Sequence, residues 1–441
     1  MKKVIVNIAR LLLAVVFILS GFVKAVDPLG TQYKIADYLE AMHLGGLVPD
    51  MVTLGASVLQ SAVEFCLGIF LLFAIQRRLT SRLILLIMVV MTPLTLWLAL
   101  SNPISDCGCF GDAVVLTNWQ TFWKNVVLLA AAVVVVRWPG EMFRFVSETN
   151  QWIVINYSAL FILTVSGLAL YYLPQFDFRP YHVGANIKQG MEIPEGAPQP
   201  QFETTFIMEK DGVRQEFTAD NYPDSTWQFV DTKTVQTAEG YVPPIHDFSV
   251  TLADTGDDIT EEVLSDSSYV FLLVSPHLEK ADDSRLDLLN ELYEYAQEHS
   301  YKFYCLTAST ERNMARWREM TGAEYPFCIT DEITLKTIIR SNPGLVLLKN
   351  GTVIRKWSHN DLPVIEESLS AQPLERLPFG QMPDNTIPGR ILRILLWFVL
   401  PLVLLTVADR LWMWTKWLRR KRPAAPTIPT TPTPPTTPTE E

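Results

Sequence analysis

Cys107-Gly108-Cys109 is the part of this 441-residue sequence best suited to chemistry. Two thiols one residue apart sit near the outer limit of disulfide reach, where bridged Cα atoms lie roughly 4.4–6.8 Å apart. Gly108 lets the backbone bend enough to close so small a ring. Such a ring is expected to be strained, and a strained disulfide is reduced more readily than a structural one. The chemistry this favours is thiol–disulfide exchange at Cys107 and Cys109. Three other readings stay open. A structural bridge would pin the loop, though so short a ring removes little loop entropy. Half of a metal site would need two more soft ligands, and no second pair lies nearby in sequence. Two inert thiols would have to persist in whatever compartment the loop faces.

Few other residues compete. Glu64 lies inside an apolar run, where a carboxylate is costly and therefore a functional candidate. It also suits a helix-to-helix hydrogen bond, or a position wetted by the loops. Cys66 reads as a small packed residue. Cys305 and Cys328 are candidates for a bridge or for two buried thiols. Five cysteines are too few for a disulfide scaffold.

The elements that must position these groups are membrane helices. Hydrophobic residues make up 49% of the chain and charged ones only 19%, with mean hydropathy +0.18. A net charge of −11 does not suit a nucleic-acid binder. A bilayer core needs about 20 apolar residues as a helix. Six stretches approach this: 6–23, 51–74, 83–100, 122–136, 153–173 and 394–408, the fourth being short. Basic residues mark the cytoplasmic side. Lys2, Lys3 and Arg10, then Arg77, Arg78 and Arg82, then Arg137 and Arg144, then Lys416 to Arg422 all fall on one face if the spans alternate. Arg390 and Arg393 run against this pattern. The first span also resembles a cleavable signal, but a retained helix keeps the loops on consistent sides.

The loop at 101–120 and the large segment at 174–390 then both lie outside the cytoplasm. In a bacterial cell that space is oxidising, so thiol pairs can cycle there. The reading is a multi-pass protein of the inner membrane with its large domain in the periplasm. The tail at 423–441, rich in Pro and Thr, is expected to be disordered.

Asp106-Cys107-Gly108-Cys109-Phe110-Gly111-Asp112, followed by Thr121-Phe122-Trp123-Lys124-Asn125, resembles the MauE (methylamine utilisation) branch of the DoxX-like membrane proteins. Arg10-Leu11-Leu12-Leu13, Ser20-Gly21-Phe22-Val23-Lys24, Asp27-Pro28 and Glu64-Phe65-Cys66-Leu67-Gly68 fit it as well. The resemblance implies a four-helix bundle over 1–145 and a role in redox or disulfide maturation of exported proteins. It implies supporting roles for Asp106, Gly108, Phe110, Gly111 and Glu64. DoxX-like relatives also suggest a quinone as electron partner, although no quinone site is visible in the sequence.

A fifth span occupies 146–175 and a sixth 390–412. Between them, 176–240 reads as a small β element, with Lys210-Asp211-Gly212 turning a hairpin. From 241 to 370 strands and helices alternate, as in a sheet covered by helices. Asn350-Gly351 marks a second hairpin. This order resembles an α/β thioredoxin fold, and Asn342-Pro343-Gly344 followed by Leu345-Val346-Leu347-Leu348 carries the likeness. The resemblance places Pro343 at the family's cis-proline, beside the active cysteines and against bound substrate chain. Ser275-Pro276-His277 stands where that family has its cysteine pair, so the domain is degenerate. His277 is expected to be a lone surface residue. The expected partners are exported protein thiols, or another redox protein, together with lipid. A second reading is an anchored assembly protein whose degenerate domain binds a client without catalysis.

Overall fold

The computed structural model describes residues 1–104, 106–198, 201–210, 213–218, 221, 227–238, 240–366, 370–383 and 387–421. Among the described residues six helices are long and apolar enough to cross a membrane, and the chain is a multi-pass membrane protein. The first five spans belong to α1 (Lys2–Val26), α3 (Asp50–Phe73), α4 (Arg77–Ser101), α5 (Asn118–Arg137) and α6 (Gln151–Tyr171), with the shorter α2 (Pro28–Ala41) between the first two. The short apolar run at 122–136 becomes a 20-residue helix because Thr117 and Gln120 form a reciprocal capping box that starts it early. α2 was not expected. Asp27 caps it by accepting from the Gly30 amide at 3.0 Å, and Pro28 sits at its first position.

Small residues bring α1 against α3. A Cβ added at Gly21 would stand 2.3 Å from the Phe65 nitrogen, and one at Gly68 would stand 2.7 Å from the Ile18 nitrogen. Backbones approach this closely only across glycine. Leu13, Phe17, Leu67, Leu71, Met88 and Leu128 fill the space among α1, α3, α4 and α5.

The basic segments gather at one end of the bundle. Asn7 reaches the Glu141 carbonyl, Arg10 that of Phe143, and Arg77 those of Gly140 and Met142. Arg410, in the last span, reaches the Phe145 carbonyl. Arg390 bonds the Gln175 carbonyl at the far end, beyond α6.

Beyond α6 lie the one-turn helix α7 (Ile187–Met191) and a three-stranded antiparallel sheet. Its strands are β1 (Gln201–Lys210), β2 (Val213–Thr218) and β3 (Gln228–Ala238), in the order β2-β1-β3. Lys210 pairs with Val213, which leaves a two-residue connection. The Asp211-Gly212 turn itself lies outside the described residues.

A six-stranded sheet follows. Its elements are β4 (Thr251–Leu252), α8 (Thr260–Leu264), β5 (Tyr269–Ser275), α9 (Leu286–Glu298), β6 (Lys302–Thr307), α10 (Glu311–Thr321), β7 (Phe327–Ile329), α11 (Glu332–Ile338), β8 (Gly344–Lys349) and β9 (Thr352–Ser358). The strand order is β4-β7-β6-β5-β8-β9. β5, β6 and β7 run parallel, and β8 and β9 form an antiparallel hairpin beside β5. All seven residues of β5 are buried, as expected of a strand covered on both faces. Asn350 (φ +49°) and Gly351 (φ +69°) turn the hairpin as a type I′ pair. The Asn342–Pro343 peptide is cis and leads directly into β8. This is a thioredoxin-like α/β domain. The chain closes with α12 (Ile387–Ile394), a π-helical turn and α13 (Leu400–Lys421), which form the sixth span. Phe398 anchors it by stacking on Phe161 at 4.2 Å. The tail expected to be disordered lies outside the described residues.

Of the two readings open for Cys305 and Cys328, a bridge or two buried thiols, the structure has the second. Cys305 and Cys328 are free, buried thiols and form no bridge. Cys305 stands opposite Phe327, while Cys328 stands opposite Leu306. Successive side chains on a strand point to opposite faces, so Cys305 packs on the Phe271 side of the sheet and Cys328 on the Val270 side. In denatured protein that has never been reduced, both should label fully with a maleimide. A Cys305–Cys328 cross-linked peptide in mass spectrometry would contradict the placement.

Candidate functional site

The sulfur loop joins α4 to α5 and is held by residues of three helices. Asn118, at the start of α5, donates to Asn102 Oδ1 and to the Ile104 carbonyl, both at 2.8 Å, and so clasps the first leg. From α2, Lys34 pairs with Asp106 at 2.9 Å and Tyr38 donates to the Cys107 carbonyl at 3.0 Å. From α1, Ser20 reaches the Cys109 carbonyl at 2.7 Å. From α5, the Lys124 ammonium lies 4.6 Å over the Phe110 ring. Gly108 adopts φ +65°, and its amide donates to Asp106 Oδ1 at 2.8 Å. Gly111 adopts φ +50° and its amide donates to the Gly108 carbonyl. These contacts assign Asp106, Gly108, Phe110 and Gly111 to the shape of the turn.

The two sulfurs stand 3.0 Å apart as free thiols, a short movement from the ~2.05 Å of a disulfide. Cys107 is buried and Cys109 half-buried. The hydrogen bond from Cys107 brings Cys109 down to about 6, against the opposing effect of burial and with help from Lys124 and Lys24. The same bond, together with burial, pushes Cys107 up. Cys109 is therefore the more acidic thiol of the pair. Among the described residues no group of three or more His, Cys, Asp or Glu is placed to share a metal ion.

A buried ion pair lies beneath the loop. Lys24 and Glu64 meet at 2.7 Å, with side chains only 5% and 12% exposed. Gln60 donates to Glu64 Oε1 at 3.1 Å. Ser20 Oγ stands 2.7 Å from Glu64 Oε2 as well as from the Cys109 carbonyl. Glu64 thus ties α3 to α1 and touches the loop through one hydroxyl. Lys24, Ser20, Lys124 and Asn118 were missed in the sequence reading. Nothing in one sequence marks which two polar residues of separate spans will face each other.

The thioredoxin-like domain meets the bundle beside this loop. Arg340 contacts Asp27 at 3.0 Å and Asp112 at 3.5 Å, and Lys280 reaches Asp50 at 3.0 Å. Burial would raise the Asp27 carboxyl, but Arg340 and Arg179 hold it below its usual range. Arg340 follows α11, whose last carbonyls are taken by cations. Arg179 bonds Thr337 at 3.0 Å and Lys356 bonds Ile338 at 2.6 Å. Burial brings Lys356 down to about 8 despite its contact with Asp177. A cleft of about 570 Å³ lies between the two parts, lined by Gly108, Gly111, Asp112, Tyr33, Phe178 and Arg340 among others. Its walls also carry Asp27, Asp37, Glu40, Lys34, Arg179 and Lys336.

Where thioredoxins have their cysteines, Ser275 Oγ donates to Asn342 Oδ1 at 2.7 Å and Asn342 Nδ2 donates to the His277 carbonyl at 2.9 Å. His277 is not the lone residue expected. Its Nε2 lies 3.0 Å from Glu332 and its Nδ1 3.4 Å from Glu279, because α11 folds back over the end of β5. Pro343 follows Asn342 in this polar cluster, away from either loop sulfur in sequence and in element.

Residues 2–137 match the family model of methylamine utilisation protein MauE. That is about a third of the chain, the part that holds α1 to α5 and the sulfur loop. A domain of unknown function, DUF8463, matches 202–239, the three-stranded sheet. No curated protein matches the chain. Two solved structures are similar to parts of it. The solution structure of a proposed protein disulfide isomerase from Bacteroides thetaiotaomicron shares 17% identity, covering 29% of this chain and 82% of that one, with a TM-score of 0.23. The crystal structure of an uncharacterized conserved protein from Geobacillus kaustophilus shares 12%, covering 33% and 75%, with a TM-score of 0.21.

Two outcomes follow from the geometry of the MauE-like part. In the reduced protein, alkylation of Cys109 followed by peptide mass spectrometry should rise with pH to a midpoint near 6, since deprotonation creates the nucleophile. A midpoint at the ordinary thiol value of about 8.5 would refute the assignment. Glu64→Leu leaves Lys24 buried without a partner and should cost about 3–5 kcal/mol. Adding Lys24→Leu should recover most of the lost thermal stability, whereas equal melting of the single and double variants would deny the pair its role.

Proposed function

We propose that this chain is a membrane-anchored thiol–disulfide exchange protein acting on the thiols of exported proteins. The observation that carries the reading is the loop in which the half-buried Cys109 sulfur stands 3.0 Å from the buried Cys107 sulfur. In the reducing direction, the Cys109 thiolate attacks one sulfur of a partner disulfide and releases the partner's other sulfur as a thiolate. A mixed disulfide joins Cys109 to the partner. Cys107 then gives up its proton and attacks Cys109, closing the pair and freeing the partner's second thiol. Two electrons leave the pair and two partner sulfurs accept them. The reverse sequence oxidises a partner dithiol. Lowering the thiolate energy of Cys109 stabilises the reduced pair, which favours this oxidising direction.

The basic ends of the spans converge away from the loop, which under the positive-inside rule supports a non-cytoplasmic side for the loop and the thioredoxin-like domain. For a bacterial cell this is the periplasmic face of the inner membrane. Contact of Arg340 with Asp27 and Asp112 supports a shared compartment for the two parts.

A second reading rests on the Ser275, Asn342 and His277 cluster that replaces the cysteines of the domain. The domain then binds a client without exchanging electrons. Trapping separates the two. With Cys107→Ser in cells, Cys109 should hold exported partners as reducible adducts on non-reducing gels, and Cys109→Ser should hold none. Absence of adducts in both, with client capture by the domain unchanged, would favour the binding reading and sink the exchange one.

A further inference from the structure

The end of the bundle opposite the sulfur loop carries a groove of about 710 Å³. Its walls are the first turn of α4 and the segment that follows α5. Arg77, Arg78, Arg137 and Arg144 line it, with Glu141 as the one acid among the lining residues. Like charges this close repel unless an anion lies among them. The chain itself supplies little neutralisation. Arg77 is held by the carbonyls of Gly140 and Met142. Arg144 pairs with Glu148, yet its Nε is buried without a partner. Arg78 is exposed, and neither it nor Arg137 has a carboxylate partner among the described residues. Arg137 stacks instead on Trp138, at 5.7 Å. The first turn of α4 has no side-chain cap from Gln76, so its amides add positive potential.

We propose that this groove binds the phosphate headgroup of an anionic phospholipid. Guanidinium forks match phosphate oxygens in pairs. The groove lies at the ends of two spanning helices, which is headgroup depth, and Trp138 is a residue suited to that boundary. Leu79 lines the groove, and Leu83 and Leu86 continue from it along α4 as exposed apolar side chains. They offer acyl chains a surface that free phosphate would not use. Basic pockets between membrane helices on the cytoplasmic side bind such headgroups elsewhere.

The test uses the full chain purified in detergent and native mass spectrometry. Cardiolipin, phosphatidylglycerol, phosphatidylcholine and inorganic phosphate are titrated separately. The anionic lipids should be retained about tenfold more tightly than phosphatidylcholine, a difference of roughly 1.4 kcal/mol. Arg78→Gln with Arg137→Gln should abolish that preference without changing the lipid-free melting temperature. Arg78→Lys with Arg137→Lys should keep part of it, since charge remains and the forks are lost. If the double Gln variant does not fold, Arg78→Gln alone, at an exposed position, should still weaken the preference. Equal retention of phosphatidylcholine, or an unchanged preference in the folded variants, overturns the proposal. Displacement of lipid by millimolar inorganic phosphate also overturns it, and assigns the groove to the free anion.

Discussion

Lys24 in α1 and Glu64 in α3 are both buried in the bundle, where neither charge is tolerable alone. Pairing them dictates the register of α1 against α3. The glycines follow from that constraint. Gly21 and Gly68 let the two backbones come close enough for a direct contact at 2.7 Å. Ser20 lies one helical turn before Lys24 and therefore on the same face of α1. From there its hydroxyl meets both Glu64 and the Cys109 carbonyl. The sulfur turn is thus seated on the ion pair, and any slip of α1 along α3 would unseat it.

The asymmetry between two thiols that share a turn comes first from the hydrogen bond between them, and the nearby lysines add to it. Lys24 and Lys124 both lie toward Cys109, whereas Cys107 is buried with its carbonyl tied to Tyr38. One sulfur is left half-open and beside cations, and the other is left closed. A nucleophile and a resolving thiol need that difference. The Arg340 clasp adds a further constraint, because one of its acids, Asp112, ends the loop directly after Gly111, while the other, Asp27, caps α2. A domain more than 200 residues away is therefore fixed against the rim of the sulfur turn.

What could be read in the sequence was local and periodic. Apolar runs of sufficient length showed the six spans, Asn350-Gly351 showed a hairpin through its demand for positive φ, and Asn342-Pro343-Gly344 showed the entry to β8. The sulfur pair was visible because its spacing is unusual. α2 was overlooked because it is too polar to resemble its neighbours, although Asp27-Pro28 is a start signal. Lys24 with Glu64, and Arg340 with Asp112, were illegible for a different reason. Each pair joins elements whose relative rotation depends on packing, and residue type alone does not reveal it. For Cys305 and Cys328 the sequence left a bridge and two buried thiols open, and the alternation of faces on adjacent strands decides for the thiols.

The vacant cysteine position of the α/β domain fits this arrangement better than simple decay would. Lost thiols leave a groove that water or apolar residues can fill at random. Here Ser275, Asn342 and the His277 carbonyl close a continuous hydrogen-bonded chain next to Pro343, and Glu332 and Glu279 take both imidazole nitrogens. Buried polar groups satisfied in this way hold one conformation. Lys280 and Arg340, on either side of the cluster, are the residues that grip the bundle through Asp50, Asp27 and Asp112. The region that would do redox chemistry in a thioredoxin is used here as a rigid foot. It fixes the domain against a membrane part that carries its own pair of sulfurs.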